Sequence, residues 1–248
     1  MRSSTRLEDR LAAARLVMFD CDGVLLQSNR VKIDAIVDVF ADLPEPLRRT
    51  CIDAFKCNFG QARDQHFQRF ADLLNVSIEA RAAFLQERSD RYRDLVALRY
   101  TSVPAVPGAR ALCEGLQAAS KAICVITGGV ATEAEAALTA NGFGPLAQAV
   151  HGAPVAKTAH IMAQLADHAL SPDQAVYLGD APSDLDACIE TGVPFIYVRD
   201  HAIGDMSAIA ERGVAAGIPA AWVPDLQATR KLTPFSVYHN QFEVSLHA

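Results

Sequence analysis

Four short stretches of this 248-residue chain carry side chains able to do chemistry together. Asp20 and Asp22 stand one residue apart in "FDCDGV", where the apolar run 15–19 ends. Thr127 is followed by Gly128 and Gly129 in "VITGG", Lys157 closes "GAPVAK", and "YLGDAPSD" supplies Asp180, Ser183 and Asp184. Carboxylates crowded at the edge of a core repel one another and lose hydration, so clustering them calls for a cation. Oxygen ligands without a His or Cys cluster favour Mg²⁺ over zinc. Glycine and small residues at "TGG" and "LGD" let backbone N–H groups approach an anion closely. Mg²⁺, a hydroxyl, N–H groups and a lysine together stabilise a transferring phosphoryl group.

Something must bring these distant stretches to one place. Four nearly continuous apolar runs, "RLVMF" (15–19), "AICVI" (122–126), "AVYL" (175–178) and "PFIYV" (194–198), read as strands buried on both faces of a parallel sheet. "QAVHG" (148–152) is a weaker fifth. Helical patterns lie between them at 109–121, 131–142, 157–170 and 183–192, the second ending in Asn-Gly and the fourth in Gly. This alternation implies a doubly wound α/β domain with right-handed crossovers. Its parallel strands finish at one edge, where ligands bind. The fold reading alone therefore carries Asp20, Asp22, Thr127, Asp180 and Asp184 to one rim, with Lys157 opening the helix after the weak strand. Asp184 also suits the cap of the helix it opens, and Asp186 a first-turn acid matched to the helix dipole.

Residues 24–106 break the pattern: four amphipathic helical stretches follow the first strand with no buried strand among them. The exit, "TSVPAVPG" (101–108), is Pro-rich and reads as a linker or hinge. Two modules result, a sheet domain (1–23 with 107–248) and a helical insertion (24–106). Asn29, Arg30, Lys32, Lys56, Asn58 and Arg63 fall in stretches of the insertion able to face the rim, and Gly60 breaks a helix in "KCNFGQAR". Arg63 is the best candidate grip for a second anion. In the tail, "FEVSL" (242–246) reads as an extra strand or a contact surface.

Composition narrows the class. A net charge of −6 argues against a basic nucleic-acid surface. The six cysteines form no CxxC pair and no zinc spacing, which suits reduced thiols in a cytoplasmic protein. The N-terminus has no apolar h-region, and no apolar stretch approaches the ~20 residues that span a bilayer. No GxGxxG follows the first strand, so a dinucleotide-binding module fits poorly.

"FDCDGV" resembles the DxDG(T/V) signature of the haloacid dehalogenase-like hydrolase superfamily. "VITGG", "GAPVAK" and "YLGDAPSD" resemble its second, third and fourth motifs, in order and on the expected elements. The insertion resembles the family's helical C1-type cap. The resemblance implies a phosphatase of the phosphoglycolate phosphatase or β-phosphoglucomutase kind, acting on a sugar phosphate or phosphoglycolate as a monomer or homodimer. It makes Asp20 the nucleophile that forms an aspartyl phosphate and Asp22 the general acid and base. Thr127 and the N–H of Gly128 would bind phosphoryl oxygens, Lys157 would neutralise nucleophile and phosphate, and Asn29 and Arg63 would contact substrate. Mg²⁺ would be held by Asp20, the backbone carbonyl of Asp22, Asp180 and Asp184. A carboxylate at Asp22 favours phosphate esters over carbon–halogen or carbon–phosphorus bonds. The same residues serve a phosphomutase, and a non-catalytic phosphometabolite-binding relative would be expected to lack one of them. One departure is plain: where many C1-cap relatives read "DGTLVDS", this chain has Gln27-Ser28.

Overall fold

The computed structural model describes residues 6–147 and 149–236. Its frame is a seven-stranded sheet ordered β3-β2-β1-β4-β5-β6-β7. The strands are β1 (Leu16–Phe19), β2 (Ala122–Val130), β3 (Val150–Ala153), β4 (Ala175–Gly179), β5 (Phe195–Val198), β6 (Ala220–Val223) and β7 (Thr233–Pro234). All neighbours pair parallel except β6 with β7. The helices are α1 (Leu7–Ala13) before β1, then α2 (Asn29–Val39), α3 (Glu45–Cys57), α4 (Arg63–Leu73) and α5 (Ile78–Tyr100) between β1 and β2. The crossovers use α6 (Ala109–Ala118), α7 (Ala131–Ala140), α8 (Gly144–Ala147), α9 (Lys157–Asp167), α10 (Pro182–Thr191) and α11 (Met206–Ala216).

Strand periodicity divides the core in two. Val17 and Phe19 face one side with Leu11, Leu112, Leu138, Val176 and Leu178. Leu16 and Met18 face the other with Ile161, Leu165, Tyr177, Leu185 and Ile209. Apolar residues at every position of β1 follow from that two-sided burial. The four inserted helices extend the first of these clusters: Phe40 meets Phe70 edge-on at 5.1 Å, and Phe70 meets Phe67 at 5.4 Å. Arg88 of α5 lies over Phe40 and donates to both carboxylate oxygens of Asp42, which ties α5 to the end of α2. The Ser77 hydroxyl accepts from the Ala80 N–H and starts α5.

The connections into and out of the insertion pair with each other. The Val106 N–H donates to Leu25 O at 2.9 Å, the Gln27 N–H to Pro104 O at 2.9 Å, and the Gln27 amide to Ala105 O at 2.9 Å. Gln27, the departure from the common motif, thus clasps the two linkers together.

The structure differs from the sequence reading in three places. Strand β2 does not stop at Ile126; it runs on through Thr127 and the two glycines to Val130, with its register against β3 shifting between Ile126 and Val130. Helix α11 and strands β6 and β7 extend the sheet where the sequence showed no distinct apolar run. Part of the tail is thereby placed: Phe235 is buried against Phe195, and the segment 228–230 accepts hydrogen bonds from the start of α1. "FEVSL" lies outside the described residues, as does Gln148 at the head of the weak strand.

Candidate active site

The rim assembles from the ends of three neighbouring strands. Asp20 follows β1, its N–H donating to Leu178 O at 2.8 Å. Thr127 sits where β2 loses register with β3, and Asp180 follows β4. Each is almost wholly buried, as are Asp22, Lys157 and Asp184. Burial of so many charges is costly unless each is paired, and their partners differ.

Asp184, in the first turn of α10, is satisfied on both oxygens. Oδ2 accepts from the N–H groups of Asp180 (3.1 Å) and Ala181 (3.0 Å), and Oδ1 from Lys157 Nζ (2.5 Å) and the Tyr177 hydroxyl (3.0 Å). It caps its helix, as one reading of the sequence has it, and also pairs with Lys157. Lys157 Nζ also lies 3.1 Å from Asp20 Oδ1, close enough for an ion pair but not aligned for a hydrogen bond. Burial works against the Lys157 ammonium, but the carboxylates of Asp184 and Asp20 outweigh it and raise its pKa.

Asp22 points to the other side. Its Oδ1 accepts from Ser28 Oγ at 2.5 Å and the Tyr100 hydroxyl at 2.9 Å, and its Oδ2 from the ammonium of Lys32. Burial alone would raise its pKa; Lys32, with Ser28 and Tyr100, brings it below the ordinary carboxylate value. Lys32 belongs to α2 and Tyr100 to the end of α5, so the inserted helices themselves hold this carboxylate.

Asp20 and Asp180 are different. Asp20 Oδ1 and Asp180 Oδ1 are buried without a hydrogen bond. Burial, with the neighbouring carboxylates Asp184 and Asp22 opposing Lys157, pushes Asp20 up to about 7. Burial, then Asp20 and Asp184, push Asp180 well above its usual range. Among the described residues, Asp20, Asp180 and Asp184 form a group whose oxygens lie within 4.8 Å of one another. Two unpartnered oxygens in an all-carboxylate set fit a small hard cation. Gly23 keeps this corner clear: its φ is +77°, and a Cβ there would meet Asp180 Oδ2 at 2.1 Å.

A cavity of about 40 Å³ opens beside Asp20 and Asp22. Thr127, Gly128 and Gly129 form its core side, where Thr127 Oγ1 accepts from the Gly129 N–H at 3.0 Å. Phe55, Phe59, Phe67, Tyr92 and Val96 form its apolar roof. The "KCNFGQAR" loop contributes Phe59, Gly60 and Gln61 to the wall. There the helices press hard on the sheet domain: a Cβ on Gly128 would lie 2.0 Å from Gly60 O, and Ser183 Oγ donates to Phe59 O.

The residues of the insertion singled out from sequence separate. Arg63 and Lys32 reach the cavity wall. Asn29 instead donates to Asp180 Oδ2 (2.6 Å) and His201 O (2.7 Å), which places it behind the carboxylate cluster. Arg30 pairs with Asp34 in solvent, and Asn58 donates to Ala54 O at the end of α3; Lys56 is exposed. Asp186 pairs with Arg212 at the surface. Sequence reasoning passed over Ser28, Tyr100, Tyr177, His66 and Glu133. Tyr100 and Glu133 meet partners 78 and 70 residues away, so no local pattern marks them. All six cysteines are free thiols, and no described helix is long and apolar enough to cross a membrane.

A family model described as haloacid dehalogenase-like hydrolase matches residues 14–192. No curated protein sequence matches the chain. Solved structures similar to it include a hydrolase from Pseudomonas syringae, at TM-score 0.64 and 19% identity over 86% of this chain and 95% of that one. A predicted phosphoglycolate phosphatase from Haemophilus somnus gives TM-score 0.61 and 18% identity over 75% and 85%. CbbY from Rhodobacter sphaeroides in complex with phosphate gives 0.62 and 18% over 86% and 95%. At these identities the likeness is one of fold.

Proposed function

The chain belongs to the haloacid dehalogenase-like hydrolases, and on that premise we propose that it is a Mg²⁺-dependent phosphatase of a small phosphorylated metabolite such as a sugar phosphate. The observation that carries this reading is the pair of buried oxygens without a hydrogen bond on Asp20 and Asp180, the first beside Lys157 and on the same cavity as Thr127 and Gly128. Carboxylates left in that state suit a site whose remaining charges arrive with ligands.

In the proposed reaction an Asp20 oxygen attacks phosphorus and the ester oxygen departs, leaving an aspartyl phosphate. Asp22 gives its proton to the departing alkoxide. In the second half it removes a proton from the water that attacks phosphorus, so each turnover returns the proton it used. The donors on Asp22 favour its ionised form, the form that accepts the water proton. Thr127 and the Gly128 N–H receive phosphoryl oxygens, and Lys157 offsets their charge. Asp20, Asp180 and Asp184, with the Asp22 carbonyl as the family pattern implies, would hold Mg²⁺, which when bound supplies the positive charge that keeps Asp20 ionised.

Residues 24–106 act in this proposal as a cap on the sheet domain formed by 1–23 and 107–248. The insertion roofs the cavity, so in this proposal lifting of the cap admits substrate and releases product. The paired linkers at Leu25–Gln27 and Pro104–Val106 are where it would swing.

The test is release of phosphate from p-nitrophenyl phosphate with Mg²⁺, wild type against Asp20→Asn. Loss of release in the variant is the expected result; undiminished release would sink the assignment. A sugar phosphate returned as its isomer, with no free phosphate, would point to a phosphomutase.

A further inference from the structure

The leaving-group side of the cavity has two cations on its wall, and each is paired with a carboxylate, although Arg63 Nε makes no hydrogen bond. Arg63 Nη2 lies 2.5 Å from Glu133 Oε2, the two side chains 14% and 26% exposed, and its guanidinium sits 5.2 Å from the Tyr92 ring centre. Lys32 is matched to Asp22. Glu133 is in the first turn of α7, on the sheet domain, while Arg63 opens α4 in the insertion. The rest of that wall is mostly aromatic, with His66, Val96 and the uncharged Gln61 among it. His66 is 3% exposed, its Nδ1 has no hydrogen bond, and its ring lies 4.6 Å from Phe55. Burial, then Arg69 and Lys32, hold the His66 imidazole near a pKa of about 3, so it offers a neutral ring. An added anion here would be desolvated against phenyl rings with no cation left to meet it, which is costly.

We infer that Glu133 is a specificity-determining residue: by holding Arg63 it makes this subsite select phosphomonoesters whose leaving group is uncharged. Leaving groups that carry a carboxylate or a second phosphate are rejected. The inference rests on the phosphatase reading above and narrows its substrate class. An uncharged group with a hydroxyl would lie on the phenyl rings, with the unpartnered His66 nitrogen available to pair with that hydroxyl.

The experiment compares phosphoglycolate with 2-hydroxyethyl phosphate, esters of similar size that carry a carboxylate and a hydroxymethyl group respectively. Specificity is read as kcat/KM, or as inhibition of p-nitrophenyl phosphate hydrolysis for an ester that is not turned over. The wild type is expected to favour 2-hydroxyethyl phosphate by about tenfold or more. Glu133→Gln, which keeps shape and frees Arg63, should shift the ratio towards phosphoglycolate by about fivefold or more. Adding Arg63→Met should bring the ratio back. Thermal melts check that each variant folds, and Glu133→Asp, with a shorter reach to Arg63, serves if Glu133→Gln does not. A wild type that prefers phosphoglycolate, or a smaller shift in the folded variant, overturns the inference while leaving the phosphatase reading intact. Absence of phosphate release from every ester, p-nitrophenyl phosphate included, fails the phosphatase reading and this inference with it.

Discussion

At the sheet rim, Asp20 and Asp180 each keep a buried carboxylate oxygen with no hydrogen bond. On the helical wall above, Arg63 is matched to Glu133 and Lys32 to Asp22. The two regions face the same cavity and treat buried charge in opposite ways. The rim keeps oxygens without donors, and in our proposal a cation and a phosphoryl group complete it. The charges of the wall are paired, so it contributes shape and exclusion. In this proposal chemistry is placed where carboxylates outnumber the cations beside them, and selection where each charge has its own counter-charge.

The sharpest way to break this contrast is at the rim. Asp20→Asn removes the proposed nucleophile with little change in shape, and p-nitrophenyl phosphate hydrolysis should fall by roughly a thousandfold or more. Retained turnover would show that the unpartnered oxygen is not the reacting one.

Lys32→Met probes a wall residue that acts on the rim. It leaves Asp22 with Ser28 and Tyr100 but without its cation. A loss of about ten- to a hundredfold in kcat is expected. Because Lys32 lowers the Asp22 pKa, the acidic limb of the pH–rate profile should move to higher pH. A uniform loss with an unmoved profile would mark Lys32 as packing only.

Gly128→Ala tests the seam between the regions. A Cβ would lie 2.0 Å from Gly60 O, backbone against backbone, so the cap cannot seat. We expect kcat/KM to drop about tenfold, with a melting temperature close to wild type if cap and sheet domain fold separately. Unchanged kinetics would separate the contact from catalysis.

The smallest effect is on stability. Asp20, pushed up to about 7, and Asp180, higher than usual, bind protons in the folded chain that the unfolded chain has released above about pH 4. Without metal, stability should therefore fall as pH rises from about 5 to 8, by a few degrees in melting temperature. Mg²⁺ should flatten that slope. A metal-free melting temperature that rises over this range would contradict the burial of ionisable carboxylates at the rim.

Much of this was legible in the sequence, and for a physical reason. The strands at Leu16–Phe19 and Ala175–Gly179 are buried on both faces, so they are apolar at every position, and the residues after them must share an edge. Asp20, Lys157 and Asp180 could be placed because each follows the end of its own strand or starts its own helix, whereas Thr127 lies inside β2, at its register shift. Tyr100 and Glu133 could not be read, since their contacts depend on how elements far apart in the chain pack. Arg63 shows the limit best. Its type and place in the insertion were readable, but its match to Glu133, which changes an anion grip into a closed pair, exists only in three dimensions. Strands β6 and β7 escaped notice because they are short and lie at the open side of the sheet, where burial demands fewer large apolar residues.

The central claim is the proposal that Asp20, Asp180 and Asp184 bind a divalent cation used to move a phosphoryl group. Metal-free wild type and Asp180→Asn, each titrated with Mg²⁺ while melting temperature and phosphate release from p-nitrophenyl phosphate are recorded, test it most directly. Wild type should gain melting temperature and activity together and saturably, and Asp180→Asn should gain neither over the same range. Full activity in wild type before any Mg²⁺ is added, or an identical titration in the variant, would contradict it.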